Sequence, residues 1–246
     1  MNRKFTHLEE TDSTNLLMLR KQSAGENIEG LVISTDYQTE GKGLDTNRWH
    51  SSRAQNLLFS MCIKPDFLAP SQQFLITKVV SLSMVEALAD YLPHSSIHIK
   101  WPNDIYVNNR KIAGMLISNF ISGRTFEFSI IGVGLNVNEK DFPSWIPNPV
   151  SMAQITGITY NRSSLLHQIT KSFEKWIDRL QHANDLALID QKYLDSLLHY
   201  KEWHNFLIKG VNETAKITGV SEFGHLEMEN KNGEISTFDL KEVIFL

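Results

Sequence analysis

Gly30–Asp36 (Gly-Leu-Val-Ile-Ser-Thr-Asp) and Leu57–Ile63 are short apolar runs of the kind that form buried strands. The period changes after that. Phe74, Ile76, Val79, Leu82, Val85, Leu88 and Leu92 recur at helical spacing until Pro93, which predicts a long amphipathic helix with Ser71 as its N-cap. Strand patterns return at Ile97–Ile99, Ile105–Val107 and Ile112–Ile117. Asn108-Asn109 between the last two suits the positive φ angles of a tight hairpin turn. Ser122-Gly123-Arg124 predicts a second hairpin leading into Phe126–Val133. Successive hairpins imply antiparallel neighbours, unlike the strand–helix alternation of a parallel sheet.

Asp141–Pro149 holds three of the seven prolines and reads as an irregular surface loop. Two helices are expected next, over Ser163–Gln181 and Leu186–Leu198. Beyond Trp203 the pattern becomes short strands (Phe206–Lys209, Thr214–Val220, His225–Glu229, Ile235–Phe238, Val243–Leu246) broken at Gly210, Gly224 and Asn232-Gly233, which predicts a small β-barrel. The fold expected is therefore α+β: a mixed, largely antiparallel sheet flanked by helices, with a small C-terminal β-domain. The division falls near residue 200, giving domains 1–200 and 201–246.

Composition narrows the function classes. A chain of 246 residues with 41% hydrophobic positions can bury a sizeable core without metals or disulfides, and its single cysteine, Cys62, permits no internal disulfide. The net charge of −4 argues against general polyanion binding. No apolar run is long enough to span a membrane, and the first residues hold no secretory h-region, so a soluble cytoplasmic protein is expected. No Gly-x-Ser-x-Gly elbow or His-Glu-x-x-His pair occurs, and the nine histidines show no recognisable ligand spacing. Cys62, inside an apolar strand, reads as a buried inert thiol.

Four segments carry candidate chemistry. Thr11-Asp-Ser-Thr-Asn15 is either a helix cap or a set of donors and acceptors for a neutral polar ligand. Gln38-Thr-Glu-Gly-Lys-Gly43, continuing to Trp49, is a glycine-flanked lysine loop after a strand. It is a flexible loop or a phosphate-approaching one, but its spacing is not that of a P-loop. Lys100-Trp-Pro-Asn-Asp104, followed by Asn109-Arg-Lys-Ile-Ala-Gly114, places Lys100, Lys111, Asn103 and Asp104 on what reads as one hairpin. Cations beside a carboxylate suit an anionic reactant with a divalent metal, against the plainer reading of a lysine-decorated edge. Gly132-Val-Gly134 in Ile131–Asn136 bares one face of a strand, on which a flat ligand could lie.

Taken in order, Asp12-Ser-Thr-Asn15, Gln38-x-x-Gly-Lys-Gly43 with Trp49, Lys100-Trp-Pro-Asn-Asp104, Arg110-Lys-x-Ala-Gly114 and Gly132-Val-Gly-Leu-Asn136 resemble the biotin–protein ligase family. The resemblance implies a class II synthetase-like catalytic fold closed by an SH3-like domain. It also implies activation of biotin by Mg-ATP to biotinyl-5′-AMP, followed by transfer to a lysine of the biotin carrier domain of a carboxylase. By similarity Ser13, Thr14, Asn15 and Gln38 bind the ureido ring, Gly43, Gly114 and Gly134 admit the ligand to the backbone, and Trp49 encloses it. Lys111 neutralises the biotin carboxylate and α-phosphate. Lys42, Lys100, Asn103 and Asp104 serve phosphates and Mg²⁺, and Asn136 the nucleotide.

Two departures stand out. Gly41-Lys-Gly-Leu-Asp-Thr-Asn-Arg-Trp49 carries Leu44 and Asp45 where arginine-rich members have guanidinium groups, which implies weaker retention of the adenylate. The Ser-Thr-Asn segment begins at residue 13, which implies an enzyme-only form, without nucleic-acid contacts, as monomer or homodimer. Lipoate–protein ligases and octanoyl transferases resemble the same fold, although the transferases use a cysteine and Cys62 is poorly placed for that. A non-catalytic biotin-binding module is the third reading.

Overall fold

The computed structural model describes residues 3–44 and 47–246. Its centre is a seven-stranded sheet built from β1 (Lys4–Leu8), β2 (Leu31–Thr35), β3 (Leu57–Ile63), β4 (Ile97–Lys100), β5 (Asp104–Val107), β6 (Arg110–Ser122) and β7 (Thr125–Leu135), in the order β1-β2-β3-β7-β6-β5-β4. Only β1 and β2 pair in parallel; every other neighbour is antiparallel, as the run of hairpins predicts. Asn108 and Asn109 adopt φ of 50° and 61°, the left-handed pair that a two-residue turn requires.

Period-two alternation divides this sheet between two environments. Odd positions of β3 and β7 (Phe59, Met61, Ile131, Val133, Leu135) join the main core, beneath α2 (Phe74–Ala89), α4 (Arg162–Leu180) and α5 (Leu186–Asp195). Even positions face α1 (Thr14–Ser23), where Met18, Ile33, Cys62, Phe128 and Ile130 form a smaller cluster. Further along β7 that second face passes to Gly132 and Gly134. All of β3 is buried, and burial, followed by the charge of Glu29, pushes the Cys62 thiol up to about 12, so it stays protonated and inert.

The five C-terminal strands are present as β8 (Trp203–Ile208), β9 (Val211–Val220), β10 (Leu226–Asn230), β11 (Ile235–Phe238) and β12 (Val243–Phe245). They form a second, antiparallel sheet ordered β11-β10-β9-β8-β12. Its buried Phe206, Ile217, Leu226 and Met228 belong to the same apolar cluster as the first sheet's core. The Trp101 indole Nε1 donates to the Gly224 carbonyl at 2.9 Å, linking the two sheets.

Several expectations are corrected. Ser71 is not an N-cap: it lies in a 3₁₀ turn (Pro70–Gln72), and α2 starts at Phe74 behind Gln73, without a side-chain cap. The Ser13 side chain likewise makes no cap bond at α1. Strand β1 and the extent of α1 carry weak patterns. Four of the five β1 residues are exposed, so the period that reveals a half-buried strand is missing.

Candidate active site

The register of the first sheet sets out the floor of a cleft of about 610 Å³. Asp104 on β5 lies opposite Gly114 on β6, Gly114 opposite Gly134 on β7, and Gly134 opposite Leu58 on β3. One row further on, Leu116, Gly132 and Ser60 are aligned. Paired residues share a face, and so do positions two apart. The carboxylate, the three glycines and the Ser60 hydroxyl therefore stand on one surface.

Two side chains of the protein occupy the space those glycines leave, where the sequence predicted room for a ligand. A Cβ on Gly134 would overlap the Trp49 indole, and one on Gly132 would overlap the Asn15 amide. A Cβ on Gly114 would come to 3.0 Å from the Trp49 ring and 3.2 Å from Asp104 Oδ1. The glycines thus let Trp49 and Asn15 pack flat on the sheet. Trp49 Nε1 is buried there with no hydrogen-bond partner among the described residues.

At one end the polar groups are tightly connected. Gln38 Oε1 accepts from the Thr14 backbone N–H (2.8 Å) and its hydroxyl (3.1 Å), and the Thr14 and Ser60 hydroxyls lie 2.7 Å apart. Ser60 also hydrogen-bonds Asn15 Oδ1, whose Nδ2 reaches the Leu116 carbonyl at 3.4 Å. Ser13, buried next to this network, donates its backbone N–H to Asp12 Oδ1 at 2.7 Å, and the paired guanidinium of Arg20 holds the Asp12 carboxyl far below the usual carboxylate range.

At the other end lie the charged groups. Lys111 Nζ is 2.7 Å from Asp104 Oδ2 and 5.7 Å from the Trp49 ring centroid. Lys100 is not on a neighbouring strand: it sits on β4 and Lys111 on β6, with β5 between them, and a bulge at Ile105/Tyr106 sets Lys111 opposite Tyr106. Lys100 Nζ lies 3.3 Å from the Tyr106 hydroxyl and 5.1 Å from each of the Tyr106 and Phe245 rings. Burial pulls the Lys100 ammonium below the usual lysine range; the Asp104 charge opposes that shift and the Lys111 charge adds to it. Burial, with Asp104 adding to it, pushes the Tyr106 phenol up to about 12.

The two asparagines predicted for the nucleotide brace the cleft wall. Asn103 Nδ2 donates to the Met115 carbonyl at 2.5 Å, and Asn136 Nδ2 donates to the Val150 carbonyl at 3.1 Å. On the glycine loop, the backbones of Lys42 and Arg48 pair as an isolated antiparallel β-bridge, Gly43 donates its N–H to the Asn47 carbonyl at 2.8 Å, and Lys42, Arg48 and Leu44 line the cleft. Asp45 lies outside the described residues.

Sequence reasoning missed two walls. Phe142, Trp145, Ile146 and Pro147, from the loop read as plain surface, line the cleft, and Trp145 packs edge-on to His50 at 5.6 Å. Val243, Ile244 and Phe245 of β12, with Leu240 and Lys241 from the 3₁₀ turn just before it, line it too. Only the clustering of aromatic residues within a proline-rich loop signalled the first wall. Nothing local signalled the second, which depends on docking of the two sheets.

The chain resembles known proteins in sequence and in fold. The chain is 29% identical over 214 residues to the bifunctional ligase/repressor BirA of Bacillus spizizenii, covering 83% of this chain and 63% of that relative. It therefore spans less than two thirds of that protein's length. It is 23% identical over 193 residues to the biotin–(acetyl-CoA-carboxylase) ligase of Mycobacterium tuberculosis, covering 77% of this chain and 70% of that one. The solved Aquifex aeolicus biotin protein ligase in complex with biotin and ATP matches with a TM-score of 0.80 at 25% identity, covering 100% of this chain and 99% of that one. A model of the biotin/lipoate A/B protein ligase family matches residues 6–136, more than half of the sequence, and the chain belongs to that family.

Proposed function

We propose that this chain activates biotin with ATP to biotinyl-5′-AMP and passes the biotinyl group to a lysine of a biotin carrier domain, that of a biotin-dependent carboxylase. The observation that carries this reading is the Lys111–Asp104 pair, 2.7 Å apart on the glycine floor against Trp49. A cation fixed at that point neutralises two anions that must meet, a carboxylate and a phosphate. The resemblance of the whole chain to the Aquifex ligase supports it.

The chemistry needs no protein nucleophile. The biotin carboxylate attacks the α-phosphorus, the bond to pyrophosphate breaks, and an acyl adenylate forms. The acceptor amine then attacks the acyl carbon and AMP leaves. The protein supplies position and charge, and two reactants held side by side can gain several kcal/mol, about 7–11 in well-oriented cases, over a bimolecular encounter. Ser13, the Thr14–Gln38–Ser60 network and Asn15 present donors and acceptors for the neutral ureido ring. Trp49 covers the ring system, and its unpartnered N–H is a donor for a bound oxygen. Lys111 faces the carboxylate and α-phosphate, and Lys42 and Lys100 the remaining phosphates. Phe142, Trp145 and Phe245 offer apolar walls on which a purine packs.

Asp104 is the only carboxylate among the described residues lining the cleft, and one of its oxygens already meets Lys111. That donor set fits Mg²⁺ arriving on ATP, which takes one or two carboxylates plus phosphate and water oxygens. The ion, when bound, neutralises phosphate charge; Asp104 would hold it. In the second half-reaction Asp104 accepts the proton of the attacking amine.

The proposal includes a division into a catalytic part, 1–200, and a C-terminal part, 201–246, whose last strand completes the nucleotide wall. It also places the protein in the cytoplasm. No helix among the described residues is long and apolar enough to cross a membrane. The test is incubation with radiolabelled biotin, Mg-ATP and an apo carrier domain, with lipoate and octanoate in parallel. Label on the carrier from biotin alone is expected. Labelling from lipoate in preference to biotin would overturn the substrate assignment.

A further inference from the structure

Beside the Phe245 wall of the cleft, whose ring lies 6.4 Å from that of His199, the segment joining the two sheets gathers ligands that the sequence spacing left unremarked. Leu198 N–H bonds to the Ile99 carbonyl of β4 at 2.9 Å, and Lys201 N–H to the Ile217 carbonyl of β9 at 2.9 Å, so residues 198–201 are held to both sheets. On this fixed backbone Glu202 Oε2 lies 3.7 Å from His199 Nδ1 and 3.1 Å from His204 Nε2. The donor atoms of all three residues fall within 4.8 Å of one another.

We propose that His199, Glu202 and His204 form a binding site for a divalent transition-metal ion, of which Zn²⁺ is the representative, at the junction of the two sheets. Two imidazole nitrogens with one carboxylate oxygen and a water are a common tetrahedral zinc set. Zn–N and Zn–O bonds of about 2.0–2.2 Å place ligand atoms roughly 3.3–3.5 Å apart, between the two spacings observed. Nitrogen donors select against Mg²⁺ and Ca²⁺, which prefer all-oxygen shells.

The rings of His199 and His204 stack, with centroids 3.5 Å apart and planes at 28°. Both must tip about χ2, a broad torsion, for their lone pairs to converge. The His204 side chain is 38% exposed and Glu202 66% exposed, so both have room to turn, while the 21% exposed His199 is the anchor. His199 holds φ of 64°, a left-handed conformation that histidine tolerates better than most residues, which sets where its Cβ departs from the backbone and leaves the ring free to turn about χ2.

The test is titration of the full-length protein with Zn²⁺ alone by calorimetry, repeated with Co²⁺ to read the visible absorption of a tetrahedral centre. One ion per chain is expected, with a melting temperature raised by zinc, reversed by a chelator and unmoved by Mg²⁺. His199→Asn, chosen because Asn also accepts positive φ, and His204→Gln should each abolish the stoichiometric binding. Glu202→Gln should weaken it by more than about tenfold, the least that even outer partners of metal ligands contribute. Asp104→Asn, in the cleft, should leave it intact. Zinc uptake by the His199→Asn/His204→Gln double variant equal to wild type, or no stoichiometric uptake by wild type, would overturn the proposal. Because no biotin or ATP is present, neither result bears on the ligase reading.

Discussion

The Trp49 indole lies where a side chain on Gly134 would stand, so position 134 must lack a Cβ for the ring to reach the sheet. Gly134→Ala must move the indole or the strand. A shift of about 1 Å near reacting groups can cost on the order of 100-fold in rate. Turnover with biotin is expected to fall on that scale while the fold persists, read by carrier labelling beside circular dichroism. Unchanged turnover would show that Trp49 does not shape the site.

Lys111→Ala removes the cation to which the proposal assigns the biotin carboxylate and the α-phosphate. Biotin-dependent adenylation should drop by about two to three orders of magnitude, the scale for one preorganised donor. Asp104 then lacks its partner, so Lys111→Arg, which keeps both the charge and a partner for Asp104, is the control. It should retain more adenylation than Lys111→Ala, and equal loss in the two variants would contradict the role given to the charge.

Burial depresses the Lys100 ammonium, which therefore loses its proton at a lower pH than an exposed lysine, near 10.4. Catalytic efficiency toward ATP should fall on the alkaline side below that value. Lys100→Arg, charged throughout, should remove that limb. For folding the sign is opposite: the unfolded chain binds the proton more strongly, so this residue's contribution to stability improves as pH rises through the depressed pKa.

Trp101 is 5% exposed and its N–H satisfies the buried Gly224 carbonyl across the two sheets. Trp101→Phe leaves that acceptor unpaired and should cost about 1–3 kcal/mol, visible as a lower melting temperature. An unchanged melting temperature would mean that the two sheets do not depend on this bond.

Lys42 offers a point charge on the glycine loop where arginine-rich relatives carry guanidinium forks. Lys42→Arg should slow release of biotinyl-AMP several-fold, measured by stopped-flow fluorescence. Release already slow in the wild-type protein would contradict the expectation drawn from Leu44 and Asp45.

The central antiparallel strands were legible because their runs are apolar on both faces or end in Asn and Gly turns, as at Asn108-Asn109. Strand β1 was not, because four of its five residues are exposed and no alternation survives. The site's polar positions were legible as motifs; their partners were not. That Gly132 and Gly134 make room for Asn15 and Trp49 follows from the β3–β7–β6 register, set by tertiary pairing. The reach of Phe245 to Lys100 requires the docked second sheet, and the meeting of His199 with His204 requires a backbone turn pinned by both sheets. No local pattern encodes such long-range placements.

The most direct measurement is ATP–pyrophosphate exchange with and without biotin, in wild type and Lys111→Ala. The account predicts exchange that requires biotin and is lost in the variant. Exchange independent of biotin, or undiminished without the lysine, would contradict the claim that this cleft joins a carboxylate to the α-phosphate of ATP.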